Sequence, residues 1–342
     1  MDHKTDWLPS GLEPVAFRLA RADQIAYEIG PLMMSWSQQA LDLAQIETAP
    51  GTAELTVMGI RPIPPQISLL FSEAIHQLRA AVENTLFHLV EQERGAPLTE
   101  QEATRVEMPV RDDAASFLKW QKDRVGKVPE LGPGTKLGNR IESLQPYTDV
   151  KATIPSLSSQ LEYLSRVPAE HEHAMTLLQR YSNLDKHRLL RIAAGRAIVQ
   201  QSDVPFWSSN RKLRSIEIGE VLATGRLGDP VAVDVHPVVA LQRPDSDVWI
   251  APLAEFDGIY WHISNLVIPT LIKGFIPTTP ALPTEIDLSD TGLDPTERIR
   301  AGGWETAHSR MQQVALASYQ DDGAQDLRPL RVIRYTESSN QG

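Results

Sequence analysis

The chain has 342 residues, 42% hydrophobic and 23% charged, enough apolar side chains for a real core and for about two domains or one large one. Its 33 Lys+Arg against 44 Asp+Glu leave a net charge of −11, which excludes generic coating of nucleic acid. Without a cysteine, disulfides, thiolate metal centres and thiol redox chemistry are excluded as well. The opening residues, Met1-Asp2-His3-Lys4-Thr5-Asp6-Trp7, lack a basic segment leading into an apolar one, so no signal peptide and a cytoplasmic location are expected. The longest apolar stretch, 265–273, carries Pro269 and Lys273 and falls well short of a bilayer span, so no membrane partner is expected.

Apolar side chains recur at near-helical spacing over 14–40, through Phe17, Leu19, Ile25, Ile29, Met33 and Trp36, and Gly30-Pro31 predicts a kink or split. Partial alternation over 41–46 and 53–58, around Ala49-Pro50-Gly51, predicts a hairpin. Pro62, Pro64 and Pro65 then lead into a helix over 66–93. Its row Leu70, Ala74, Leu78, Val82, Leu86 and Leu89 predicts a central place in a bundle. Residues 95–155, punctuated by Gly126, Pro129, Gly132-Pro133-Gly134 and Gly138, predict an excursion with short helices, one of them over 112–124. Helices follow over 156–165 and 168–199, the second reading Met175, Leu178, Tyr181, Leu184, Leu189, Ile192 and Ile198.

The texture turns β-rich from 207 to 256, with strands expected at 213–218, 231–235 and 247–251. Pro269, Pro277, Pro280 and Pro283 predict a linker, followed by a helix over 303–319 and a last strand over 330–335. The expected fold is therefore α+β: a helical bundle with a hairpin insertion over 1–200, then a smaller β-rich part over 201–342. The seven tryptophans are scattered and are expected to serve core packing.

Two polar constellations interrupt these patterns. On the long helix, His76, Arg79 and Glu83 share one stripe beside the apolar row, with Glu73 one turn before His76. A site between helices would use His76 as acid/base or ligand, Arg79 as anion clamp and Glu83 as orienting carboxylate. The same residues also fit a solvated helix face whose Arg79–Glu83 pair is worth ~0.3–0.5 kcal/mol. The second constellation, Asn183, Asp185, Lys186, His187 and Arg188, breaks an apolar period with residues that are poor choices inside a helix. Asn183 and His187 would face the Arg79 stripe, with Lys186 and Arg188 supplying positive potential. The alternative is a buried hydrogen-bond network, or simply a helix end at Asn183.

Phe71-Ser-Glu-Ala-Ile-His76-Gln-Leu-Arg79-Ala-Ala-Val-Glu83-Asn84, Glu107-Met-Pro-Val110, Leu144-Gln-Pro-Tyr147 and Asn183-Leu-Asp-Lys-His-Arg188 together resemble a family of uncharacterised bacterial proteins. That family's pattern runs D-A-L-H-N-L-R-S-A-L-D-H, F-P-I, L-Q-P-Y and N-x-D-K-H-R, and the likeness covers about residues 14–200. The Arg79 segment is also similar to the R-x4-H motif of the HEPN superfamily, all-helical dimeric proteins that include metal-independent RNases. This second resemblance implies RNA or another phosphate-containing ligand and a homodimer, with Arg79 and a histidine acting at a ribose 2′-hydroxyl. Asn84 stands where that motif has its histidine, so His76 or His187 would have to replace it in space.

Glu73-Ala-Ile-His76 has the Glu-x-x-His spacing of di-iron bundles, but no second copy follows. His171 and His173 would diverge on a helix, so neither a metal nor another cofactor is expected. Nucleotide-binding glycine loops, G-x-S-x-G elbows and H-E-x-x-H are absent. The expected function is a non-catalytic binding or assembly protein, with a HEPN-like RNA-directed nuclease of a defence or stress system as the alternative. In either case the catalytic or binding residues are Arg79, His76, His187, Glu73, Glu83, Asn183, Asp185, Lys186 and Arg188. Both readings require that 76–83 and 183–188 meet across a helix–helix seam.

Overall fold

The computed structural model describes residues 5–187, 190–201, 214–228, 233–275, 282–321 and 331–333. Helix α1 (Glu13–Ser37) continues through Pro31, so the chain does not split at Gly30-Pro31. Glycine at 30 serves packing instead, because an added Cβ would lie 2.5 Å from the side chain of Met311. The expected hairpin is present as β1 (Leu41–Ala49) and β2 (Thr52–Ile60), turning at Gly51 with φ 78°. Helix α2 (Pro65–Arg94) opens on a proline whose missing N–H has no intrahelical partner to lose. It ends at Gly95, whose left-handed φ of 74° lets its N–H cap the Glu91 carbonyl.

The excursion that follows holds α3 (Glu100–Ala103), α4 (Ala114–Arg124), a 3-10 turn (Pro129–Leu131) and α5 (Lys136–Ser143). Short strands β3 (Thr153–Pro155) and β4 (His171–His173) then pair antiparallel around α6 (Ser159–Ser165). The single helix expected over 168–199 needs correction at both ends. Residues His171–His173 are strand, α7 spans only Ala174–His187, and the chain from Ile192 is β5 (Ile192–Gln201). The β-branched Ile192, Ile198 and Val199 fit a pleated surface, and pairing with β8 (Val233–Gln242) outweighs their coincidental helical spacing.

The remaining strands are β6 (Arg214–Ser215), β7 (Val221–Arg226) and β9 (Trp249–Ile250). A second correction concerns 252–273, where strand texture to 256 and a linker from Pro269 were expected. Here α8 (Pro252–His262), a π-helical segment (Ile263–Val267) and α9 (Ile268–Lys273) form one run, with Ile259, Ile263, Val267, Ile268 and Leu271 fully buried. Pro269 falls inside this run, just after the π-helical segment, so the proline does not end the helix there. Then come α10 (Pro295–Ala301), α11 (Ala307–Asp321) and β10 (Arg331–Ile333).

The fold is α+β. One sheet has the order β10-β1-β2-β7 and another β6-β5-β8-β9, all antiparallel except the β1–β10 pair. The main hydrophobic core extends from Leu12 to Ala307, with α2 packed against α1, α7, α8 and α9, and a smaller cluster of Leu55, Val57, Ile216, Leu222 and Ala223 forms where β2 and β7 pair. Residue 200 falls inside β5, and β7 and β10 complete the sheet that β1 and β2 begin. Among the described residues no helix is long and apolar enough to cross a membrane.

Candidate functional site

The apolar row of α2 turns Ile67, Phe71, Ala74, Ile75, Leu78, Val82 and Leu86 into the core, which fixes the azimuth of the polar stripe beside it. That stripe forms one wall of a cleft of about 540 Å³, with His76, Arg79, Glu83 and Asn84 on α2 facing Gln179, Ser182 and Asn183 on α7. Residues 107–111 supply a third wall, including Arg111. The seam required by the sequence reading therefore exists for Arg79 and Asn183.

Arg79 and Glu83 lie one turn apart and pair at 2.5 Å. They also clamp both main-chain groups of Met108: Arg79 Nη2 donates to its carbonyl at 2.8 Å, and its N–H donates to Glu83 Oε2 at 2.9 Å. Burial pushes Glu83 above the ordinary carboxylate range, against the opposing pull of Arg79 and the Met108 N–H. The other side of the same segment is held by Gln145, which is fully buried. Its Nε2 donates to the carbonyls of Pro109 (3.1 Å) and Ile141 (3.0 Å), and its Oε1 accepts from Arg111 N–H at 2.9 Å. The motif segments around residues 79, 108 and 145 are thus one physical unit. A strap buried at Met108 and Pro109 is bolted between α2 and the end of α5.

Among the described residues, the buried Arg79 Nη1 has no hydrogen-bond partner. His76 and Asn183 are exposed, and Asn183 Oδ1 accepts from Gln179 Nε2 at 2.8 Å, one helical turn away. Glu73 does not join them. It pairs with Arg21 of α1 at 3.3 Å, outside the residues that line the cleft. Asp185, Lys186 and His187 occupy the last turn of α7, but their side chains, and Arg188 altogether, lie outside the described residues. The second constellation is therefore a helix end and not mid-helix, where Asn, Asp and His carry little propensity penalty.

Two further polar groupings escaped sequence reading. Arg243 and Glu255, both buried, pair at 2.8 Å with the Tyr181 hydroxyl donating to Glu255 Oε1 at 3.1 Å. Asp149, His173 and His262 come from a loop, a strand and a helix end and converge beside α8. Burial pushes His262 down to about 3, and lowers His173 too. The one available signal was His262, a titratable residue embedded in the apolar run Ile259-Tyr-Trp-His-Ile263. The expectation that His171 and His173 diverge on a helix is corrected, since they lie on strand β4 with His173 buried and His171 exposed. No family model, no curated protein and no solved structure matches the chain.

Proposed function

We propose that the chain is a binding protein whose α2–α7 cleft takes a small phosphate-bearing ligand, and that it performs no catalysis there. The reading is carried by Arg79, which lines the cleft with its guanidinium held rigidly by Glu83 and Met108. Arg111 lines the same space and supplies a second guanidinium, beside the Glu83 and Glu107 carboxylates and the His76 ring. Against a nuclease stands the engagement of Arg79 by Glu83, together with the absence of a histidine at position 84.

Calorimetric titration of the full chain with adenosine 5′-monophosphate and with inorganic phosphate tests the reading. Binding is expected, weakened about tenfold or more by Arg79→Met, which is about 1.4 kcal/mol. Undetectable binding of both probes would refute it. Incubation with labelled RNA provides the second arm: cleavage that disappears in His76→Ala would replace the binding reading with the nuclease.

A further inference from the structure

We propose that Asp149, His173 and His262 form a mononuclear site for a divalent first-row transition-metal ion, next to a cleft beside α8 that His262 also lines. One ligand atom from each residue lies within 4.8 Å of the others. Metal bonds of about 2.0–2.2 Å would draw them to roughly 3.0–3.4 Å apart, a closure of the order that side-chain torsions supply. Two nitrogens and one carboxylate oxygen form a donor set that selects such ions and leaves positions for water or substrate.

The second observation is that both histidines are costly as they stand. His173 is 6% and His262 3% exposed, and neither Nε2 makes a hydrogen bond among the described residues. A buried polar nitrogen without a partner has lost its hydration with nothing in return. Two of them, on rings whose centroids are 5.6 Å apart and nearly perpendicular, are two such penalties in one place. An ion between them and Asp149 would relieve both.

His173 Nδ1 accepts the Met175 N–H at 3.2 Å, which places the ring proton on Nε2. Ligation through Nε2 moves that proton to Nδ1 with no net release. It leaves the Met175 N–H in the first turn of α7 without its acceptor, a cost set against the two buried Nε2 atoms that the ion engages.

The surroundings hold the ligands in place. Register pairing of Thr153 with His173 fixes the strand. Arg243 donates to the carbonyls of Ile154 (3.0 Å) and Glu170 (3.1 Å), and its pairing with Glu255 ties the β3–β4 hairpin to α8 two turns before His262. The helix opens into π geometry directly after His262, a local widening often found at functional sites. The adjoining cleft of about 390 Å³ is lined by His262 together with Lys151, Thr153, Asp257, Trp261 and His308, leaving room for a substrate on the ion.

Tag-free protein stripped with chelator and titrated with Co²⁺ tests the proposal by its visible ligand-field bands and by metal content after gel filtration. About one equivalent is expected, with binding weakened at least about a hundredfold in both His262→Gln and Asp149→Asn. Asp149 is only partly buried, so Asp149→Asn remains a folded control if the histidine variant does not fold, as checked by circular dichroism. Metal content below about a tenth of an equivalent, or binding unaltered in Asp149→Asn, would overturn the proposal.

Discussion

Replacing Glu255 by Gln probes the contact that locks three elements together. The Arg243 guanidinium is bidentate on Glu255, Nε to Oε1 at 2.9 Å and Nη2 to Oε2 at 2.8 Å, with the two side chains 4% and 1% exposed. Glutamine keeps the shape and one acceptor oxygen but turns an amide NH₂ against the guanidinium and leaves its charge buried without a counter-ion. Breaking a buried pair this way costs about 3–5 kcal/mol. A cooperative 342-residue chain unfolds with an entropy of about 0.7 kcal/mol per kelvin, so the melting midpoint should fall by about 4–7 °C. Tyr181→Phe removes only the hydroxyl that donates to Glu255 and should cost about 1–2 kcal/mol, or roughly 1–3 °C. Replacing Arg243 and Glu255 together by methionine should recover part of the loss, because no lone charge remains, while the Ile154 and Glu170 carbonyls and the Tyr181 hydroxyl lose their partners. Scanning calorimetry at fixed pH and ionic strength reads all three. A Glu255→Gln midpoint within about 1 °C of the parent would refute the reasoning.

Asp23 and Gly138 give the other tests. Asp23 is buried and shares Arg310 with Glu285 while Asp257 adds further negative charge, and burial pushes its carboxyl up to about 7. A raised acid favours folding while it holds its proton. Its contribution is therefore full below about pH 4 and lost as the pH rises through about 7, and Asp23→Asn should flatten that decline in urea unfolding. Parallel stability profiles for the two chains would count against it. A Cβ on Gly138 would press on the Gly132 carbonyl, the Gln121 amide and the Thr135 hydroxyl, so Gly138→Ala should cost about 1–3 kcal/mol by the same assay. Unchanged stability would show that this corner relaxes freely.

Residues with one dominant local force were legible in the sequence. The apolar row from Leu70 to Leu89, bounded by Pro65 and Gly95, specifies α2, and its phase puts His76, Arg79 and Glu83 on one stripe before any neighbour is known. Gly51 between two alternating runs likewise specifies the first hairpin. The tertiary structure decided what depends on partners remote in the chain. Ile192 and Ile198 became strand because β8 offers a ladder, and 252–273 became helix because its apolar stripe packs on α1, α2 and α7 while Ala254, Trp261 and Lys273 stay exposed. The placing of residues 108–111 between Arg79, Glu83 and Gln145, and of His173 beside His262 and Asp149, likewise joins residues tens of positions apart. Periodicity encodes which face of an element turns inward. Which other element it meets there is settled only when the whole chain competes for one limited core.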